Sequence, residues 1–252
     1  DKAWKQFAAG QDIASRTISF RKYLVGAAAV MLILVGFGTL YILDKQTPEW
    51  ITVSTASGVI KDVYLPDSSL ISLAANSQIR YDLKKYGKEE RAIEMNGKAF
   101  FQVQKDPARP FSVNTQQTKV VVLGTSFQLN EEAGLTTLHV ASGKVKFIAG
   151  ELDESPVLTA GMSASYSTNE KAVTISSKEE STNYLSWKTN QLSFHETPLD
   201  KVIEDISNHY QVKIVNKANN SGVKLTATFN DLSLEEILLV INQTLDTRLI
   251  AN

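Results

Sequence analysis

The sequence has no cysteine, which rules out a disulfide scaffold, a thiolate metal site and a cysteine nucleophile. Histidine is almost as scarce: His139, His195 and His209 fall one to an element, and no pair has the helical spacing of a metal site. No G-x-S-x-G or H-E-x-x-H occurs, and a phosphate loop ending at Gly143-Lys144 would need glycine where Leu138 stands. An excess of either charge is missing too, the net charge being −1, and no dense Lys/Arg stripe alternates with aromatics. These absences predict a protein that is not an enzyme, uses no cofactor and binds no nucleic acid. The cluster Lys84, Lys85, Lys88 and Arg91, broken by Glu89 and Glu90, reads as a solvated hairpin loop.

What is present begins with one long apolar run. Tyr23 to Leu43 contains neither charge nor proline, and about 20 apolar residues at about 1.5 Å rise cross a hydrocarbon layer of about 30 Å. A secretory signal has a shorter apolar region and a small-residue cleavage site, whereas this run leaves through Leu40, Tyr41, Ile42 and Leu43. The expectation is an uncleaved single transmembrane α-helix embedded in a lipid bilayer. Lys2, Lys5, Arg16, Arg21 and Lys22 precede it and the next basic residue after Lys45 is Lys61, so the N-terminus is expected in the cytoplasm. The bulk of the chain would then be periplasmic, on an inner membrane. The chain opens on Asp1 without methionine, which reads as a fragment of a longer protein.

The expected division is a cytoplasmic juxtamembrane segment 1–22, the membrane helix 23–43, a linker 44–49, a β-rich domain 50–175, a connector 176–187 and a repeat domain 188–252. From Trp50 onward short runs rich in Val, Ile, Thr, Phe and Tyr are divided by Gly, Asn, Asp and Pro, the signature of strands and turns. Strands are predicted at Gly58–Leu65, Ser69–Leu73, Gln78–Tyr81, Ala92–Glu94, Lys98–Gln104, Phe111–Thr115, Lys119–Leu123, Ser126–Asn130, Thr136–Val140, Lys144–Ile148 and Met162–Ser167. Turns fall at Pro66-Asp67, Asn96-Gly97, Asp106-Pro107, Ser142-Gly143 and Ala160-Gly161. Alternating apolar and polar residues predict a mainly-β sandwich or a solenoid-like coil.

The tail contains a repeat. Phe194, Leu199, Val202, Ile203, Ile206 and Tyr210 recur at an offset of 35 as Phe229, Leu234, Ile237, Leu238, Ile241 and Leu245. Ile214 and Val215 likewise fall on Leu249 and Ile250. Each unit reads as strand, helix, strand, with an apolar stripe on the helix. Proline at the first helical position is predicted for Pro198, and a capping box for Ser233 with Glu236. Two such units predict a small α+β domain with both helices on one side of a sheet. Exposed strand edges are templates for another chain, so Gln191, Leu192, Ser193 and Phe194, with Val223, Leu225, Ala227 and Phe229, are the candidate partner-binding residues.

Five ordered segments, PDSSLISLAANSQIRY (66–81), NGKAFFQVQKDPARPFSVNT (96–115), VVVLGTSFQLN (120–130), TLHVASGKVKF (137–147) and LTAGMS (158–163), resemble the FecR family of membrane-bound anti-sigma regulators. That resemblance implies a chain lacking its N-terminal cytoplasmic domain, which would bind an extracytoplasmic-function sigma factor. It also implies a tail similar to the short N-terminal domain of secretins and TonB-dependent receptors. The implied partners are that sigma factor, the periplasmic signalling domain of a TonB-dependent outer-membrane transducer, and periplasmic and intramembrane proteases. Some members cleave themselves between Gly and Thr, and Gly124-Thr125 occupies the matching place. A Thr hydroxyl could attack the preceding carbonyl where glycine permits a strained turn; equally, Gly124 could simply bend the chain. A membrane-anchored periplasmic glycan-binding protein is the alternative, with Tyr81, Tyr86, Phe100 and Phe101 as aromatic platforms.

Overall fold

The computed structural model describes residues 20–88, 91–150, 155–177, 182–218 and 222–252, apart from the side chains of 20–23, 40 and 42–46. The juxtamembrane segment 1–22 lies almost wholly outside this range. Two units divide at Pro48/Glu49.

The first unit contains helix α1, Phe20–Gln46, 27 residues long. Leu24, Val30, Met31, Leu32, Ile33, Leu34, Val35 and Phe37 are all exposed on it. Among the described residues no helix is long and apolar enough to cross a membrane. The unbroken run of described side chains in α1 stops at Leu24 and Thr39, so the ends of the Tyr23 to Leu43 stretch fall outside it.

The second unit is mainly β, and it opens with a 13-stranded curled sheet. Its strands are β1 Trp50–Ser54, β2 Lys61–Tyr64, β3 Leu70–Leu73, β4 Gln78–Asp82, β5 Arg91–Gln102, β6 Phe111–Asn114, β7 Thr118–Val122, β8 Ser126–Glu132, β9 Leu135–Ser142, β10 Lys144–Ala149, β11 Val157–Thr159, β12 Ser163–Ser167 and β13 Ala172–Ser176. One half runs β1-β4-β5-β6-β7-β10-β11 and the other β2-β3-β5-β8-β9-β12-β13. All neighbours are antiparallel except β5 and β6, which are parallel.

The two halves meet in β5. Arg91 to Asn96 pair with β4 and β6, and Gly97 to Gln102 pair with β3 and β8. The sequence reading placed a hairpin at Asn96-Gly97 and strands on either side; instead the pair lies inside one 12-residue strand. Gly97 has φ +89°, and a Cβ there would sit 2.9 Å from the Ser77 backbone. Glycine thus supplies the corner at which the sheet folds over. Strands β1, β11 and β13 were missing from the predicted set, and β2 begins only at Lys61.

Period-2 alternation sends Ile71, Leu73, Ile79, Ile93, Phe101, Phe111, Phe127, Leu129, Leu138 and Phe147 into one core between the halves. Phe101 stacks on Phe127 at 4.7 Å and meets the edge of Phe111 at 6.3 Å. Each such buried side chain contributes about 1.5–3 kcal/mol.

Beyond a 3-10 turn at Thr182–Leu185 and the short helix α2, Ser186–Thr189, come β14 Gln191–Pro198, α3 Leu199–Tyr210, β15 Ile214–Asn216, β16 Lys224–Asn230, α4 Leu234–Leu245 and β17 Leu249–Ala251. The apolar positions of the repeat, from Phe194 and Phe229 to Ile214 and Leu249, build a second core. A single sheet was expected. There are two, because β14 pairs with β16 and β15 with β17, so each strand joins its counterpart in the other repeat. Ser233 and Glu236 form the expected capping box on α4. Pro198, expected as the first helical residue of α3, is its N-cap in an extended conformation with ψ 140°.

Candidate interaction surfaces

Arg91 shows why the basic cluster is not simply a solvated loop. It opens β5 with its side chain wholly buried, 2.7 Å from Asp67 Oδ2. Its Nε donates to the Arg109 carbonyl at 2.8 Å and Nη1 to the Gln104 carbonyl at 2.9 Å. The guanidinium lies 5.6 Å from the Phe111 ring centroid. Burial by itself would raise the Asp67 carboxyl, but hydrogen bonds from Ser69 and Arg91 outweigh it and hold the group below its ordinary value. The Tyr86 hydroxyl is buried alongside, and burial, then the Asp67 charge, pushes its pKa up. These groups cross-link the turn at Pro66 to the start of β5.

The outer face of the β1-β4-β5-β6 region carries a shallow depression of about 540 Å³ lined by Trp50, Arg80, Asp82, Lys85, Tyr86 and Glu94. Arg80 bridges it, 2.5 Å from Glu94 and 4.8 Å from the Trp50 ring centroid. Among the described residues no group of His, Asp and Glu could hold a metal ion. His209 is half-buried on α3, and burial lowers its pKa.

Gly124-Thr125 joins β7 to β8. Gly124 has φ +153°, and a Cβ would lie 2.5 Å from Lys105 Cα, so close packing of backbone on backbone requires glycine here. Thr125 is 4% exposed, and its hydroxyl donates to the Lys144 carbonyl at 3.0 Å. The aromatics of the glycan reading do not form a platform: Tyr81, Phe100 and Phe101 are buried, and Tyr86 is half-buried. Alternation along β5 puts Phe101 in the core and Phe100 on the opposite face.

That opposite face is covered by the chain itself. Lys188 Nζ lies 5.7 Å from the Phe100 ring centroid, Tyr184 stacks on His139 at 4.6 Å, and Trp187 Nε1 donates to Gln128 Oε1 at 2.6 Å. Gln128 is itself 4% exposed. The part of the polar connector that the structure describes is therefore packed against β5, β8 and β9.

The eight partner-binding candidates come together around the β14–β16 pair. Leu192 lies opposite Phe229 and Phe194 opposite Ala227. Leu192, Phe194, Leu225 and Phe229 point into the tail core, Ala227 is half-buried, and Gln191 and Ser193 are exposed. Val223, just ahead of β16, accepts a hydrogen bond from Leu199 N–H through its carbonyl at 3.0 Å. What these strands offer a partner is accordingly backbone at their outer edges. The sequence could not separate the two edges, since both strands carry the same pattern.

A family model described as FecR protein matches residues 51–146, and one described as FecR, C-terminal matches residues 191–250. No curated protein matches the chain. Two crystal structures of a candidate anti-sigma factor from Parabacteroides distasonis ATCC 8503, at 2.50 and 1.65 Å resolution, are similar to it. Both are 27% identical, with TM-scores of 0.59 and 0.60, covering 81% and 80% of this chain and 98% of their own. The matched spans take in most of the first core, all of the second, the corner at Gly97 and the β14–β16 pair, and the chain belongs to the FecR family of anti-sigma factors.

Proposed function

We propose that this protein is a single-pass inner-membrane regulator. It relays the state of a TonB-dependent outer-membrane transducer to an extracytoplasmic-function sigma factor, and regulated proteolysis releases that factor. The observation that carries the reading is α1. Its 27 residues reach about 40 Å at 1.5 Å each, against a hydrocarbon layer of about 30 Å, and the charge-free Tyr23 to Leu43 stretch lies within it although its ends fall outside the described side chains. Apolar side chains emerge from it all round, where an amphipathic helix would keep one polar face. The Thr39 hydroxyl donates to the carbonyls of Val35 and Gly36, at 2.9 and 2.8 Å, so this polar group is satisfied within the helix as lipid requires. A chain that touches two compartments can carry a signal between them, and the folded unit that follows α1 would be the periplasmic receiver. Reporter fusions placed after Lys88 and after Asn252 test this. Periplasmic reporter activity at both is expected; cytoplasmic activity at either, or release of the protein by alkaline carbonate, would overturn it.

Single-turnover cleavage between Gly124 and Thr125 is part of the same proposal. The hydroxyl that would attack belongs to the residue after a glycine at φ +153°, and it now donates to the Lys144 carbonyl at 3.0 Å, a bond it would have to give up. Purified protein is expected to run as two fragments on SDS gels and Thr125→Ala as one band. A single full-length band for both would remove the cleavage step.

A further inference from the structure

Strands β1, β4, β5 and β6 lie side by side, and their registers fix which side chains share a face. Thr52, Arg80, Glu94 and Asn114 are successive partners across the four strands, and Ser54, Gln78 and Asn96 across three of them. Their neighbours Ile79, Ile93 and Val113 are core, so period-2 alternation turns both rows outward. The depression of about 540 Å³ beside Trp50 continues along this face into a second one of about 460 Å³, and the two share Arg80, Glu94 and Asn114. Each falls in the range of about 300–1,000 Å³ usual for small-ligand sites.

Backbone pairing and charge narrow what such a groove can take. β4, β5 and β6 have strands on both sides, so their backbone is already paired and recognition falls to side chains; an extended peptide has no edge to join there. The charges are matched. Arg80 stands 2.5 Å from Glu94 and Lys85 3.9 Å from Asp82, so a ligand with a net charge of either sign meets both signs at once.

What remains is polar and uncharged. The side chains of Gln78, Asn96 and Gln116 are exposed, and their amides have no hydrogen-bond partner among the described residues. Each amide offers two donors and an acceptor, a mixture matched by hydroxyl groups, which also donate and accept. At the other end Trp50 is 46% exposed, with the Arg80 guanidinium 4.8 Å from its ring centroid. An indole takes an apolar ring face, and the C–H face of a pyranose provides one. From Asp82, opposite Trp50, to Gln78, opposite Ser54, β4 advances about 13 Å at about 3.3 Å per residue, which is longer than a single pyranose ring. Arg80 is held by Glu94, and Asn114 Nδ2 donates to the Ile93 carbonyl at 3.3 Å, so the middle of the groove is ordered before anything binds.

We propose that this face is a binding site for a neutral saccharide chain, which runs along the strands with one ring on Trp50 and later rings over the amides of Gln78, Asn96 and Gln116. The aromatic contact is thus Trp50, at the start of β1, and none of the four aromatics that the sequence suggested. The site does not depend on the relay reading.

Isothermal titration of the whole protein, in a polyoxyethylene detergent that carries no sugar, tests this with cellotetraose, maltotetraose and chitotetraose as neutral chains and tetragalacturonic acid as the charged one. At least one neutral chain is expected to bind with a Kd below about 1 mM, and at least about fivefold tighter than the acid. Trp50→Ala, and separately the pair Gln78→Ala with Asn96→Ala, should each weaken that binding at least about tenfold. Tyr64→Ala, which removes an exposed aromatic on β2 in the other half of the sheet, should leave it within about twofold. Thermal unfolding of each variant accompanies the titration; should Trp50→Ala lose its cooperative transition, the amide pair decides, because both of its side chains lie exposed. No heat from any neutral chain at about 5 mM, tighter binding of the acid, or binding that ignores either folded variant overturns the site.

Discussion

Arg91 is the side chain on which the β unit is most exposed to change. Its charge is fully buried and its carboxylate partner among the described residues is Asp67, so removing either leaves the other uncompensated. Asp67→Asn should cost about 3–5 kcal/mol in urea unfolding, since a buried charge without its counter-ion retains its desolvation penalty. The pH dependence has a definite sign. The Asp67 carboxyl is held below its ordinary value in the folded state. Its contribution is therefore complete above the unfolded carboxylate value of about 4 and is lost as pH falls through the lower folded value. Acid titration of the wild type should lose stability below about pH 4, and Asp67→Asn should flatten that limb. None of this could be read from sequence, where Asp67 stands in a turn 24 residues from Arg91, beside lysines and glutamates that look solvated.

Among the elements, the described connector residues differ most from their appearance in sequence. In sequence this stretch reads as a connector 176–187 between domains, but Tyr184 and Trp187, with Lys188 just beyond, supply three separate contacts to β5, β8 and β9. Trp187→Phe keeps the ring and removes the donor, leaving the buried Gln128 Oε1 without its partner. A loss of about 1–3 kcal/mol is expected in thermal or urea unfolding, and Gln128→Leu in the same background should recover part of it. A change no larger than that of a surface substitution would show the contact to be incidental. Most strands were legible because alternation with period 2 survives in the sequence whatever the topology. The continuity of β5 was not, because Asn-Gly serves a tight hairpin and a bent strand equally well and only Ser77, packed against Gly97, distinguishes them. Proline at the start of α3 was placed one residue too far into the helix for a related reason: Pro198 still belongs to β14.

For the whole molecule, repeat periodicity in the tail gave the positions of both helices and the residues of the second core. It could not give the pairing, because strands of equal pattern can join within a repeat or between repeats. Exchange between repeats, β14 with β16 and β15 with β17, buries an apolar face from each half against the other. Neither repeat would then be stable by itself. Of the eight candidate partner-binding residues, Leu192, Phe194, Leu225 and Phe229 are core, whereas Gln191 and Ser193 keep exposed side chains.

The sharing of β5 has a consequence for how the β unit can respond to a pull or a bound protein. The first six residues of β5 are the spine of one layer and the last six are the spine of the other, so the two layers are joined end to end through the corner at Gly97. A pull on one end of that strand is passed through the corner to the other layer, and the two layers are expected to loosen together.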